Sequence, residues 1–205
     1  MVLVAVNADC GAIKTLSKTP YYSLNGITIY CGNCLAILPT LSVTTLVTDP
    51  PYPNNANHFI DQIETAKKVL LLYYWEQITT FWTEIENPVV NLPIVSKHIW
   101  YRTNTNRPDN YEAIYSYNID GIKRASKVFP FCVIYPGLTG IKATGHPTEK
   151  HIGLMKELVT RTTGIVVDPF MGSGTTIVAA KELGREAIGI EIDENYCEIA
   201  VTRLE

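Results

Sequence analysis

Apolar and polar positions along this chain fall into short blocks that switch between a period near 3.6 and a period of two. The first 25 residues read as an irregular lead-in, with Asn25-Gly26 a turn signal. Residues 27–30 form a β-branched strand block, Cys31-Gly32-Asn33 turns the chain, and residues 35–41 form a brief helix or turn closed near Pro39. Thr44-Thr45-Leu46-Val47 reads as a buried strand. Residues 53–60, with Pro53, Asn54, Asn55 and Asn57, make a loop. From residue 61 to about 86 apolar residues recur at steps of three and four, which predicts one long helix ended by Asn87-Pro88.

Beyond it the chain predicts strands at 95–101, 113–117 and 131–135, separated by a polar loop at 102–110 and an exposed hairpin or loop at 119–127. Pro136-Gly137 breaks the last of these strands, and residues 140–147 are loop. Thr148 is placed to cap a helix over 149–160, with Met155, Leu158 and Val159 inward. The final third alternates most clearly. A strand at 165–167 leads through a glycine loop to a helix at 177–183 closed by Gly184. A strand at 187–191 and a helix at 193–204 follow, the latter with Tyr196, Ile199, Ala200 and Leu204 on one face. Strand, glycine loop, helix, strand and acidic residue make a nucleotide-binding half-fold, so the class is α/β.

Composition narrows this picture. With 205 residues, 46% hydrophobic and 18% charged, the chain suits a single soluble domain with a full core. No run of 18 apolar residues predicts a membrane span, and Met1 to Val6 reads as a strand rather than a leader. The five cysteines show no disulfide framework, which favours a reducing cytoplasm. Cys31-x-x-Cys34 lacks a second ligand pair, so no metal is expected. Net charge is −3, yet residues 97–151 hold eight Lys and Arg against four Asp and Glu. Arg102, Arg107, Lys123, Arg124 and Lys127 from that stretch are candidates for a phosphate-facing surface; the alternative is a solvated face of scattered basic residues.

Candidate chemistry begins at Asp49-Pro50-Pro51-Tyr52. Two prolines end the preceding strand, and each holds the residue before it extended. A carboxylate, a carbonyl and an aromatic ring are thereby fixed in one stiff loop. An aromatic amino group is a poor nucleophile because its lone pair is spread into the ring. Asp49 and the Pro50 carbonyl, aimed at its two hydrogens, would favour a tetrahedral nitrogen, and Tyr52 would stack on the base, worth about 1–3 kcal/mol. Read alone, the same residues also fit a solvated turn after a strand.

The second cluster is Asp168-Pro169-Phe170-Met171-Gly172-Ser173-Gly174-Thr175. Gly172 and Gly174 allow close backbone approach, and the helix behind them offers amide hydrogens to a carboxylate or phosphate. Glu191, ending the next strand, is placed to accept both hydroxyls of a ribose, so the ligand reads as an adenosine compound. A Walker loop needs a lysine where Thr175 stands, and a dinucleotide fingerprint needs a glycine where Ile177 stands.

Together these two clusters resemble the DNA amino-methyltransferases, which move a methyl group from S-adenosyl-L-methionine to an exocyclic amino group of adenine or cytosine. His146-Pro147-Thr148-Glu149-Lys150 resembles the family segment that precedes the glycine loop. The resemblance covers most of residues 27–205, and the order of motifs is that of the circularly permuted beta class, of bacterial or phage type. It implies a Rossmann-like methyltransferase fold with a mostly parallel seven-stranded sheet and helices on both faces. The strands ending at Asp49 and Asp168 would then lie side by side where strand order reverses. It implies one domain over 1–205, with 102–145 as a short target-recognition insertion or a stretch relying on a second subunit.

By position, the resemblance gives Asp49, Pro50, Pro51 and Tyr52 the catalytic role. It assigns the methionine part of the cofactor to Asp168, Pro169, Phe170, Gly172, Ser173, Gly174 and Thr175, the ribose to Glu191, the adenine to Ile192, and the cofactor carboxylate to Thr148 and Lys150. Relatives often carry Gly-Asp where this chain has Gly32-Asn33, and proline where His151 follows Lys150. The implied activity is adenine-N6 methylation of a flipped base in DNA, in the cytoplasm of a bacterial or phage-infected cell. Cytosine-N4 methylation is the alternative at the same site, and a non-catalytic DNA- or protein-binding module is the alternative of another class.

Overall fold

The computed structural model describes residues 19–51, 60–72, 74–81, 92–103, 111–131 and 149–205. The sheet begins with β1 (Tyr22–Leu24) and β2 (Ile27–Cys31), joined by Asn25 and Gly26 at φ 50° and 80°. Positive φ at both central residues is what a type I′ hairpin turn demands. The lead-in expected to be irregular is therefore a strand as far back as Tyr22, antiparallel to β2.

After β2 come α1 (Cys34–Ile37), a 3-10 turn (Leu38–Thr40) and β3 (Thr45–Thr48). Asn33 caps α1, its side chain accepting from the Leu35 amide. Next is α2 (Ile60–Leu72), which is half the length expected. The stretch predicted as its second half is β4 (Gln77–Phe81). Ile78-Thr79-Thr80 is β-branched and favours the pleat over another helical turn. Trp75 helps end the helix, its indole N–H donating to the Val69 carbonyl at 2.8 Å.

The strands β5 (Ile94–Arg102) and β6 (Tyr111–Asn118) pair antiparallel. Then comes β7 (Val128–Phe131), three residues earlier than the strand expected at 131–135, most of which lies outside the described residues. β7 is an edge strand, where Pro130 removes no needed ladder donor. Helix α3 (Ile152–Val159) starts three residues later than expected and is capped by His151, whose ring accepts from the Gly153 amide; Thr148, the expected cap, lies outside the described residues. The chain closes with β8 (Val166–Asp168), α4 (Thr175–Glu182), β9 (Ala187–Glu191) and α5 (Glu194–Leu204). Gly184, at φ 67°, ends α4: its amide bonds Lys181 O, and the Arg185 amide reaches Ala180 O.

The strand order is β1-β2-β9-β8-β3-β4-β6-β5-β7, nine strands where seven were expected. The block β2-β9-β8-β3-β4 is parallel, and β1 and β6 are antiparallel to their neighbours. One core lies under α3, α4 and α5 and holds Val47, Phe81, Trp100, Ile114, Leu154, Leu158, Ile177 and Ala200. The other lies under α1 and α2 and holds Leu46, Val69, Ile78, Val167 and Ile190. Neighbours such as Leu46 and Val47 point to opposite cores, as a pleat requires. From β3 the chain crosses through α2 to β4 on one side. From β8 it crosses through α4 to β9 on the other. The reversal thus falls between β3 and β8, which are hydrogen-bonded neighbours. In space α5 and β2 adjoin β9, so the last helix stands before a strand that precedes it in sequence, the permuted arrangement.

Candidate active site

Thr45 pairs with Val166 and Leu46 with Val167, so β3 and β8 end together at the point of reversal. Such a switch point is where open α/β sheets bind ligands. Thr48 Oγ1 donates to Asp168 Oδ1 at 2.7 Å, joining the two strand ends directly. Thr176 Oγ1 donates to Asp168 Oδ2 at 2.5 Å, and the Phe170 amide donates to Oδ1 at 3.2 Å. Burial pushes the Asp168 carboxyl up to about 7, with the nearby Asp49 charge acting the same way, against three hydrogen bonds that lower it. Asp168 thus faces inward and ties β3, the loop and α4 together.

Asp49 follows β3 with Pro50 buried behind it and Pro51 half-buried. Its Oδ2 lies 2.8 Å from the ammonium of Lys150, which is 3.6 Å from Glu112 Oε1. Glu112 Oε2 in turn accepts from Arg102 at 2.8 Å. Lys150 and Glu112 are both buried, and the ammonium sits 4.9 Å from the Phe81 ring centre and 5.4 Å from that of Trp100. Burial acts to lower the lysine pKa, but the Asp49 and Glu112 charges outweigh it and hold it above the usual value. Lys150, expected at the cofactor carboxylate, is therefore bonded to the candidate catalytic carboxylate.

The glycine loop is built on Gly172 and Gly174, at φ 52° and 81°. A Cβ on Gly174 would stand 2.8 Å from Ala200 Cβ, so the close approach there is to α5. Ser173 and Thr175 are buried, and both hydroxyls face Arg203 Nη1, at 3.2 and 3.1 Å; the Ser173 carbonyl accepts from the same nitrogen at 2.8 Å. Arg203 also pairs with Glu149 at 3.2 Å. Adjacent residues thus serve the two loops: Glu149 reaches the arginine behind the glycine loop, and Lys150 reaches Asp49.

Glu191 Oε2 accepts from the Gly172 amide at 3.0 Å, while Oε1 accepts from the amides of Ile192 and Asp193 at 2.8 and 2.9 Å. Burial raises its pKa. A carboxylate has about four acceptor positions. Three are taken, which leaves room for one ribose hydroxyl rather than the two expected. Ile192 beside it is 64% exposed, an apolar shelf at the mouth of the loop. Pro169 is buried and Phe170 half-buried against the second core.

Tyr52, Thr148 and Arg107 lie outside the described residues. The remaining basic candidates do not form one surface. Arg102 ends β5 beside Asp49's charge network. Lys123 and Arg124 bond at Ile94 and Val95, the start of β5 and so the opposite end of the sheet. Lys127 pairs with Glu157 at 2.8 Å on the edge. These three lie away from the crevice, because β6 carries the chain to the other end of the sheet before they occur. Burial pushes the Cys34 thiol up to about 11, which disfavours a ligating thiolate. Among the described residues no group of three His, Cys, Asp or Glu is placed to hold a metal, and no helix is long and apolar enough to cross a membrane.

Sequence reasoning missed Thr48, Thr176, Glu112, Glu149 and Arg203. Glu112 carried a signal, since it stands in phase with buried Ile114 on β6. Arg203 carried none, because its partner Ser173 is 30 residues away.

Comparison with known proteins bears on this geometry. Residues 93–202 match the N6/N4 methyltransferase family profile, described as DNA methylase. The type II methyltransferase M2.DpnII of Streptococcus pneumoniae is 35% identical over 114 residues, 52% of this chain and 41% of that protein. The chain's matches span 29% and 41% of the curated relatives' lengths. The crystal structure of the M1.HpyAVI–SAM complex has TM-score 0.68 at 24% identity, covering 87% of this chain and 99% of that one. The PvuII DNA methyltransferase (cytosine-N4-specific) has TM-score 0.67 at 17% identity, covering 92% and 90%. These two share the fold. With the family profile spanning more than half of its residues, this chain belongs to the N6/N4 DNA methylase family.

Proposed function

We propose that the protein is an S-adenosyl-L-methionine-dependent DNA methyltransferase that acts on the N6 amino group of adenine, with the base turned out of the duplex. The observation that supports this best is the bond from Thr48 to Asp168, which sets the Asp49 loop and the glycine loop at one switch point. A one-carbon group then has only a short way to cross between ligands held by the two loops.

The residues present suit the cofactor. Glu191 keeps an acceptor position for a ribose hydroxyl, Ile192 offers an apolar surface for adenine, and the N-terminus of α4 offers amides to a carboxylate. Bound there, the cofactor would supply the methyl group from a sulfonium, whose sulfur leaves as a neutral thioether. Asp49 and the Pro50 carbonyl accept the two amino hydrogens, orienting the nitrogen lone pair toward the methyl, and Tyr52 stacks on the base. Orientation of this kind can supply much of the barrier reduction. Lys150 fixes the Asp49 carboxylate, and Arg102, with residues 103–110 beyond it, is the proposed start of the DNA-facing stretch. The setting is a bacterial or phage-infected cytoplasm, within DNA modification.

The test is incubation with methyl-labelled S-adenosylmethionine and assorted duplexes, followed by nucleoside analysis. The expected product is N6-methyladenine. N4-methylcytosine would transfer the assignment to the other base, and an unlabelled product pool would leave a binding module. Asp49→Ala should abolish transfer while retaining cofactor binding; transfer near the parent rate in that variant would refute the site.

A further inference from the structure

We infer that the protein carries a second binding site, for a small oxyanion of the phosphate class, at the end of the sheet opposite the crevice. A cavity of about 50 Å³ opens there between β4, β5 and β6, with Thr79, Ser96, His98, Ser116, Arg124 and Arg161 on its walls. Since a water needs about 10–15 Å³ measured this way, the space holds about four waters or one tetrahedral oxyanion. β4 and β5 run from this end toward the crevice and β6 runs back to it, so the pocket is separate from the Asp49 loop.

Its chemistry is that of surplus donors. The His98 ring is buried, and its Nδ1 accepts from the Lys127 amide at 3.0 Å. The proton of the neutral ring is therefore on Nε2, which donates to Ser96 Oγ at 3.0 Å. Ser96, 6% exposed, then has a hydroxyl hydrogen that meets no acceptor among the described residues. Thr79 and Ser116 share one bond at 3.1 Å, so one of those hydroxyl hydrogens is left over as well. The buried Ser96 hydroxyl, one hydroxyl of the Thr79–Ser116 pair and two guanidinium groups thus border one space. Asp120 offsets Arg124, bonding it at 2.6 Å, and Glu157 stands 3.3 Å from Arg161. The Lys127 ammonium, itself paired with Glu157, is near enough to His98 to act on its charge. A ligand that only accepts, with negative charge to meet the arginines, completes the set. This site does not depend on the methyl-transfer reading.

The experiment is calorimetric titration of inorganic phosphate into the intact protein in phosphate-free buffer. One site is expected, with affinity reduced about tenfold in Ser96→Ala and in Arg161→Gln. Asp49→Ala, at the other end of the sheet, should bind phosphate as the parent does. No binding by the parent, unchanged affinity in both pocket variants, or equal loss in Asp49→Ala would each overturn the site. Should Ser96→Ala fail to fold, Arg161→Gln decides, because that side chain is 35% exposed. Competition by a 5′-phosphorylated dinucleotide would assign the oxyanion to a nucleic-acid end, and its failure to compete would assign it to free phosphate.

Discussion

The ammonium of Lys150 is bonded to the carboxylate of Asp49 at 2.8 Å, across 101 residues of sequence. The pair belongs to a chain of alternating charges that continues through Glu112 to Arg102. Removing one member of such a buried chain weakens the charge pairing of its neighbours. Lys150→Met should therefore cost about 3–5 kcal/mol, because Glu112 loses a partner while fully enclosed. Adding Glu112→Gln to that variant should restore part of the loss. Urea unfolding of the two single variants and the double closes the cycle, and strictly additive effects would show that the charges are uncoupled.

How far this arrangement could be read in the sequence depends on the range of each interaction. The stretch 165–204 was legible because its strand, loop and helix signals are local: β9 begins and ends where the pattern put it, and Asp193 caps α5. The long helix at 61–86 misled because apolar residues of α2 and β4 happen to continue one period across a break. The neighbouring of β3 and β8 came from the family resemblance and is present in the sheet. The partners of Lys150 and Arg203 were beyond reach, since both are fixed by tertiary packing and neither leaves a spacing signal.

Asp168 gives a pH dependence whose sign is fixed. Its folded pKa, about 7, lies above the ordinary 3.8, so the folded protein holds this proton more tightly than the unfolded chain. The resulting stability is fully present below about pH 4 and is lost as pH rises through 7. Asp168→Asn keeps an acceptor for Thr48 and has no charge to bury. Between pH 5 and 8 the parent should lose stability relative to this variant by on the order of 3 kcal/mol, read from urea midpoints at each pH. Parallel pH curves for the two proteins would count against the burial argument.

Gly174 faces two separate constraints, and a second substitution separates them. Its φ of 81° disfavours any side chain, and a Cβ would meet Ala200 at 2.8 Å. Gly174→Ala should destabilise by about 2–4 kcal/mol, from left-handed strain plus overpacking. In an Ala200→Gly background the collision is relieved and only the strain, about 1–2 kcal/mol, remains. Thermal unfolding of the four proteins measures this, and an undiminished penalty in the second background would place the whole effect in the backbone.

Arg203 reaches the glycine loop from the last helix with one nitrogen near three oxygens, and pairs with Glu149 through the other. A lysine keeps the charge but lacks the planar fork that serves both directions at once. Arg203→Lys should therefore loosen the loop without emptying the site of charge. On the proposed function, affinity for S-adenosylmethionine should fall about tenfold, the loss of one to two charge-assisted bonds. Transfer at saturating cofactor should stay near the parent value, because Arg203 bonds the glycine loop and Glu149 rather than Asp49. Calorimetry and initial rates together decide it. A fall in the saturated rate with unchanged affinity would mean that Arg203 acts on the Asp49 side, through the Glu149-Lys150 link.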